Sequence, residues 1–369
     1  MQNIELEFLS LVNYRNYESL ELAFTDSLQV ITGPNGAGKT TILDAIFYIC
    51  NGKSYFTHLD RHIYRQQTDF FRLVARLKKE EHLFHCKLTS QLAMKKKYLL
   101  NEKKIDSMAE LVGQFPAFMI APRDILILMD SSIERRKVMD RTISLSDRVY
   151  LNHLLNYNRS LKQRNAFLKD AQKKGIRDTV LIDSLNESMV EPTAYITKQR
   201  KIYLESISLD VSQYYKQLSN DSEVVSLEYK TNIADKDLLT LLNENLRKDM
   251  AYGKTSLGLH KDDISIFING NPIKKYASQG QLKSAVVALK LAQIEWIKEK
   301  TNKKPILLLD DIFDKLDKTR VRRLLELSKT ELASQIFITD TDKERVVTEL
   351  KELEVDYSTY NIEEGKLIN

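Results

Sequence analysis

The chain carries only two cysteines, Cys50 and Cys86, in 369 residues. They lack metal-ligand spacing and cannot build a disulfide framework, so both are expected to fill core space in a reducing compartment. No uninterrupted apolar stretch approaches the roughly 18 residues a membrane span requires. The opening residues Met1-Gln2-Asn3-Ile4-Glu5-Leu6-Glu7-Phe8 alternate like a strand and lack the basic and apolar regions of a secretory leader. A cytoplasmic protein with no membrane partner is therefore expected. Internal repeats, low-complexity tracts and long heptad regions are also missing. What remains is a chain with 43% hydrophobic residues, enough for a sizeable core and two domains.

One segment commits the chain to a nucleoside triphosphate. Gly33-Pro34-Asn35-Gly36-Ala37-Gly38-Lys39-Thr40 fits G-x-x-x-x-G-K-[ST]. The apolar strand Leu28-Gln29-Val30-Ile31 precedes it, and a helix with Ile42, Ala45, Ile46 and Ile49 follows. Glycines let backbone N–H groups close around phosphates at the positive end of a helix dipole. Gly33, Asn35, Gly36, Gly38, Lys39, Thr40 and Thr41 form the expected nucleotide-binding set. Lys39 would reach the β- and γ-phosphates, and the Thr40 hydroxyl would hold Mg²⁺.

A second motif lies near the other end. Pro305-Ile306-Leu307-Leu308-Leu309-Asp310-Asp311 reads as a buried parallel strand with carboxylates at its carboxyl edge. Open α/β sheets bind ligands at that edge. Asp310 is placed to hold Mg²⁺ with Thr40, and Asp311 to polarise the attacking water. Ser278-Gln279-Gly280-Gln281 opens a helical segment from Leu282 to Lys300 just upstream. Ser278 can cap that helix and Gly280 permits close backbone approach. The order of P-loop, Ser-x-Gly-Gln, acidic strand and Lys315-Leu316-Asp317 resembles the signature and D-loop of ABC ATPases. In that family, Ser278, Gly280, Gln281 and Asp317 would face nucleotide held by a second subunit. The resemblance therefore implies a dimer sandwiching two ATP molecules.

Charge is unevenly spread. Residues 131–201 hold fifteen lysines or arginines against eight carboxylates, a net +7 in a chain of +5. Such asymmetry fits an anionic partner, nucleic acid first, although basic residues on helices also serve as a solvated face. The segment is helical in pattern. Leu151, Leu154, Leu155, Leu161 and Leu168 recur at near-helical spacing; beyond Pro192, Ile196, Ile202, Tyr203, Ile207 and Val211 suggest a second helix. Phe70–Leu77, Leu83–Leu88, Val224–Tyr229 and Ile264–Ile268 read as strands, with turns at Asn101-Glu102-Lys103-Lys104 and Asn269-Gly270-Asn271. The expected fold is thus α/β, a P-loop ATPase domain interrupted by a mainly helical second domain; the motif resemblance implies that the ATPase domain is of the ABC and SMC-head type. Its expected bounds are 1–115 for the first ATPase part, 116–222 for the helical insertion and 223–369 for the second part.

Further segments resemble the RecF family, recombination mediators related to SMC heads, almost end to end. They are Leu11-Val12-Asn13-Tyr14-Arg15-Asn16-Tyr17, Glu134-Arg135-Arg136 with Asp140, the helical motif Tyr157 to Ala166, Gly258-Leu259-His260-Lys261-Asp262-Asp263 and the Ser278 signature. The resemblance implies ATP and Mg²⁺ as cofactors, an ATP-dependent homodimer, weak DNA-stimulated ATP hydrolysis, and binding of double-stranded and gapped DNA. It also implies partnership with RecR, together with RecO and RecA, in recombinational repair and replication restart. Lys39, Asp310, Asp311 and Ser278 would carry the chemistry, and Arg135, Arg136, Arg159, Lys162 and Arg164 would contact DNA. This chain departs from the family pattern at Leu259, at Lys261, which lacks the planar guanidinium fork, and at Leu282 and Lys283 after the signature. Gln66 and Gln67 are both candidates for the Q-loop glutamine. Thr339 stands where ABC transporters carry a histidine, which predicts slow hydrolysis. That threonine and the basic insertion disfavour a transporter ATPase subunit. A DNA clamp in which hydrolysis is incidental stays open; a cohesin-like SMC protein conflicts with the missing heptads.

Overall fold

The computed structural model describes residues 1–57, 59–174, 180–219, 223–233, 237–314, 318–327 and 332–368. They divide into two compact units. Residues 1–125, 213–222 and 279–369 form the first, and residues 126–212 and 223–278 the second.

In the first unit, the hydrophobic pattern sorts the strands into two sheets. Strands with alternating burial form an antiparallel sheet, in which Gln2–Tyr14 pairs with Tyr17–Ala23 and with Phe70–Lys79. His82–Gln91, Lys97–Leu100 and Lys103–Lys104 extend it. Four strands buried at every position, Leu28–Thr32, Gln335–Asp340, Ile306–Leu309 and Ala117–Ile120, form the centre of the second sheet, as expected where both faces are covered. Its order is Lys366–Ile368, Ser358–Glu363, Leu28–Thr32, Gln335–Asp340, Ile306–Leu309, Ala117–Ile120. All these pairings are parallel except the hairpin of Ser358–Glu363 with Lys366–Ile368. The helix Lys39–Asn51 contributes to the core shared with both sheets and buries every residue except Thr40 and Asn51. Gly52 ends it in the left-handed region at φ 72°, its N–H returning to the Tyr48 carbonyl at 2.8 Å.

The second unit holds the helices Ser132–Ser146, Arg148–Lys174, Leu238–Glu244 and Leu246–Tyr252 and most of Val180–Ser219. A three-stranded antiparallel sheet of Val225–Lys230, Asp263–Ile268 and Asn271–Pro272 belongs to it. Asn269 and Gly270, at φ 48° and 76°, make the tight turn between the last two strands. Pro192 lies inside its long helix instead of preceding it. Leu151 and Leu168 are buried as their spacing suggested, whereas Leu155 is 45% and Ile202 38% exposed.

The expected domain bounds need correction at both ends of the insertion. Residues 116–125 belong to the first unit, because Ala117–Ile120 is the parallel neighbour of Ile306–Leu309. Residues 223–278 belong to the second, because Val225–Lys230 pairs along its length with Asp263–Ile268, and helix Leu246–Tyr252 packs on helix Arg148–Lys174. Strand periodicity cannot tell which sheet a strand joins. No helix among the described residues is long and apolar enough to cross a membrane.

Candidate functional site

Parallel register places the nucleotide motifs together. Leu309 pairs with Ile338, and Thr339 and Asp340 pair with Ile31 and Thr32. Three neighbouring strands therefore end at one edge, delivering Gly33, Asp310 and Thr339 side by side. The geometry there is tight. Thr40 Oγ1 donates to Asp310 Oδ1 at 2.8 Å, and Thr339 Oγ1 donates to the same oxygen at 2.9 Å. The Asp311 N–H donates to Thr339 Oγ1 at 3.0 Å. Asp311 takes φ 46°, a left-handed conformation unusual for a residue with a Cβ, at the turn out of the acidic strand. Burial pushes the Asp310 carboxyl up to about 6; its two threonine donors and Lys39 oppose that rise, and Asp311 adds to it.

The loop itself is shaped for a polyanion. Gly33 at φ 146° lies so close to the Ile362 carbonyl that a Cβ would come within 2.0 Å of its oxygen. Gly38 at φ 114° rests on Asn16 and Tyr17, and a Cβ there would lie 2.5 Å from the Tyr17 hydroxyl. That hydroxyl is buried with no hydrogen-bond partner among the described residues, which makes the floor of the loop a place of unmet polar demand. Lys39 is only 5% exposed, and its ammonium donates to the carbonyls of Gly33 and Pro34 at 2.8 and 3.0 Å. Asn35 and Gly36 are exposed at the loop tip, and Thr41 is buried one residue beyond Thr40. Backbone donors, a buried lysine and a hydroxyl paired with a carboxylate suit a phosphate chain with a hard divalent cation.

Of the expected catalytic and nucleotide-binding residues, Lys39, Thr40, Asp310 and Asp311 meet at this edge. Gly280 and Gln281 begin the helix Gln279–Thr301 and are half-exposed, with Arg320 the nearest side chain to Gly280. Ser278, immediately before that helix, is exposed. Asp317 lies outside the described residues. Gln66 and Gln67 are exposed between Ile63 and Phe70, beside the antiparallel sheet.

Residues outside the motifs support the site. Asp44 on the P-loop helix is fully buried and pairs with Arg15 at 2.7 Å while accepting from Tyr14, Ser54 and the Tyr55 N–H. On the helix Gln279–Thr301, buried Lys290 donates to the Tyr55 hydroxyl at 2.9 Å and pairs with Asp124 at 3.3 Å. The bond of Thr339 to Asp310 could have been found from sequence only by guessing the sheet order; the Lys290 cluster had no sequence signal.

The expected DNA contacts divide sharply. Arg159 and Lys162 are exposed on the helix Arg148–Lys174. Arg164, two residues on, is 0% exposed and corrects the expectation. Its guanidinium pairs with Asp249 at 2.7 Å and donates to Asn186 and Thr255 at 2.7 and 2.8 Å. Arg135 grips Asp263 with two hydrogen bonds, at 2.7 and 3.0 Å, and Arg136 donates to the Asp262 carbonyl. These three arginines therefore organise the segment Thr255–Asp263. Tyr157 meets His260 Nδ1 at 3.0 Å there, and burial pulls His260 down to about 4.

Comparisons with known proteins agree with this architecture. Residues 5–363 match the RecF/RecN/SMC N terminal domain family. The DNA replication and repair protein RecF of Flavobacterium johnsoniae is 38% identical over 359 residues, covering 97% of this chain and all of that protein. The RecF of Cytophaga hutchinsonii is 35% identical, with 98% of this chain and 96% of that protein covered. Among solved structures, the recombination mediator protein RecF-ATP of the RecFOR pathway superposes with a TM-score of 0.88 at 28% identity, covering 99% of this chain and 97% of that one. The Smc head domain of Pyrococcus furiosus shares the fold, at a TM-score of 0.55 and 16% identity over 100% of this chain and 96% of that one. The chain belongs to the RecF/RecN/SMC N-terminal domain family and, within it, to RecF, a family of DNA replication and repair proteins.

Proposed function

We propose that this chain is an ATP-dependent DNA-binding protein of cytoplasmic recombinational repair and replication restart, in which ATP closes a homodimer on duplex DNA beside single-strand gaps. The observation that carries the reading is the shared edge of three parallel strands, which gathers Lys39, Thr40, Asp310, Asp311 and Thr339. Lys39 supplies positive charge where the transferred phosphoryl becomes most negative, commonly the largest catalytic term. Thr40 and Asp310 would hold Mg²⁺, which when bound neutralises phosphate charge. Asp311 orients the attacking water. Thr339 has its hydroxyl committed to Asp310 and to the Asp311 N–H, and no imidazole stands in that place. Slow turnover follows.

The exposed start of the helix at Gln279–Thr301 supports a contact in trans: Ser278 and Gly280 would complete the nucleotide site of a second copy. By family, the closed dimer works with RecR and RecO to load RecA. ATP turnover measured against protein concentration, with and without gapped duplex, tests the reading. Specific activity should rise with concentration and rise again with DNA. Turnover independent of both would remove the role in trans of Ser278. The Lys39→Met variant should lose ATP-dependent dimerisation, and a dimer persisting at saturating ATP would overturn that claim.

A further inference from the structure

The proposed function leaves the DNA surface unassigned, and three of the five arginines and lysines expected there are engaged with internal partners. The other two, Arg159 and Lys162, belong to a longer set on the helix Arg148–Lys174. At about 100° per residue, its positions 148, 152, 155, 159, 162, 166, 169 and 173 fall within an arc roughly 100° wide, and every one of them is exposed. They are Arg148, Asn152, Leu155, Arg159, Lys162, Ala166, Lys169 and Lys173. Five are cations; the helix's one carboxylate, Asp170, sits at the margin of the arc. Arg164 points the opposite way, into the core. The stripe is reinforced at its far end, where Gly253 packs on the backbone of Lys169, a Cβ there lying 3.5 Å from Lys169 Cα. This sets exposed Lys254 one residue from the contact with Lys169.

Length and composition both select the partner. From Arg148 to Lys173 the helix rises about 37 Å, close to one turn of B-form duplex at about 34 Å. No member of the stripe is aromatic and a single exposed ring, Tyr252, stands by its Lys254 end, so it lacks the row of platforms on which successive unpaired bases stack, the usual device for single strands. A straight row of aliphatic-stemmed cations meets phosphates instead, without reading sequence.

We propose that this stripe, from Arg148 to Lys173 with Lys254 at its end, is the surface of the second unit that carries duplex DNA by its phosphates. The proposal rests on the DNA-binding reading above and can fail separately from it. The test is fluorescence anisotropy of labelled duplex, titrated against salt, for the full chain and for Arg159→Ala/Lys162→Ala/Lys169→Ala. All three positions are exposed, so an unchanged Tm is expected. With about 0.9 counterions released per phosphate contact, the slope of log K against log salt should be near −5.4 for the parent chain, from its six cations. It should flatten by about 2.7 in the triple variant, with affinity down at least about ten-fold. If the parent chain itself does not bind duplex, the proposed function falls and takes this surface with it. If the parent binds and the variant keeps its affinity and slope, only the stripe is overturned; a stripe serving an acidic protein gives that same result. Equal losses on duplex and on single-stranded oligo-dT would overturn the choice of duplex.

Discussion

The nucleotide edge and the basic helix spend their charges in opposite ways. At the edge, Lys39 and Asp310 are buried within a few residues of strand ends, and their positions follow from contiguous motifs and parallel register. On the helix Arg148–Lys174, charge is divided by rotation about one axis. Arg164 is sealed against Asp249, while Lys162, two residues earlier, faces solvent. A cation's sequence neighbourhood therefore fixes its role in the first region and says little about it in the second. What decides there is whether a carboxylate arrives from far along the chain.

The sharpest break of this contrast is Arg164→Ala. It leaves the Asp249 carboxylate buried without its ion partner, which costs about 3–5 kcal/mol. Urea unfolding should read that loss, and a change below about 1 kcal/mol would mean that the pair is not the organiser described. The stripe variants, by contrast, should unfold like the parent chain.

His260 sharpens the same region through pH. Its folded value of about 4 lies below the ordinary value of 6.5, because burial disfavours the charged ring. The stability contributed by the neutral ring is complete above pH 6.5 and is lost as pH falls toward 4, by up to about 3 kcal/mol. His260→Gln should remove most of that slope in urea titrations between pH 7 and 4.5; an unaltered slope would place the acid sensitivity elsewhere.

At the nucleotide edge the matching change is Thr339→Val, which deletes a donor to the buried Asp310 and an acceptor for the Asp311 N–H. A loss of about 1.5–3 kcal/mol is expected by unfolding. The smallest effect belongs to Gln66→Ala and Gln67→Ala. Both residues are exposed near the antiparallel sheet, so stability should move by less than about 0.5 kcal/mol and ATP turnover should be unchanged. A turnover defect would show that one of them serves as the Q-loop glutamine.

Legibility follows the same division. The P-loop and acidic strand could be read because each is a continuous run whose chemistry is local to the run. Thr339 could be seen only as a departure from a histidine, since its partnership with Asp310 depends on which strand lies beside which. Arg164 reads as a DNA contact while its charge alone is weighed, because a cation's charge does not show which way its helix turns it. Yet Tyr157, Ser160, Arg164, Leu168 and Ala171 are all buried at helical spacing, which makes Arg164 a core position. Its partner Asp249 is 85 residues away, beyond any periodicity. Residues 223–278 differ from their expected unit for a related reason: alternation marks a strand without naming its sheet.

The order of the parallel sheet has a consequence for synthesis. The P-loop strand Leu28–Thr32 is buried at every position, and both of its neighbours come from the far end of the chain, Gln335–Asp340 and Ser358–Glu363. At about 5–20 residues per second on the ribosome, the P-loop strand waits roughly 15–65 s for the second of them. During that interval an apolar strand with two open edges has nothing native to pair with. The nucleotide site thus completes only after Thr339 has been made, and a nascent chain stalled before residue 335 would present this strand to holding chaperones before it could present a site to ATP.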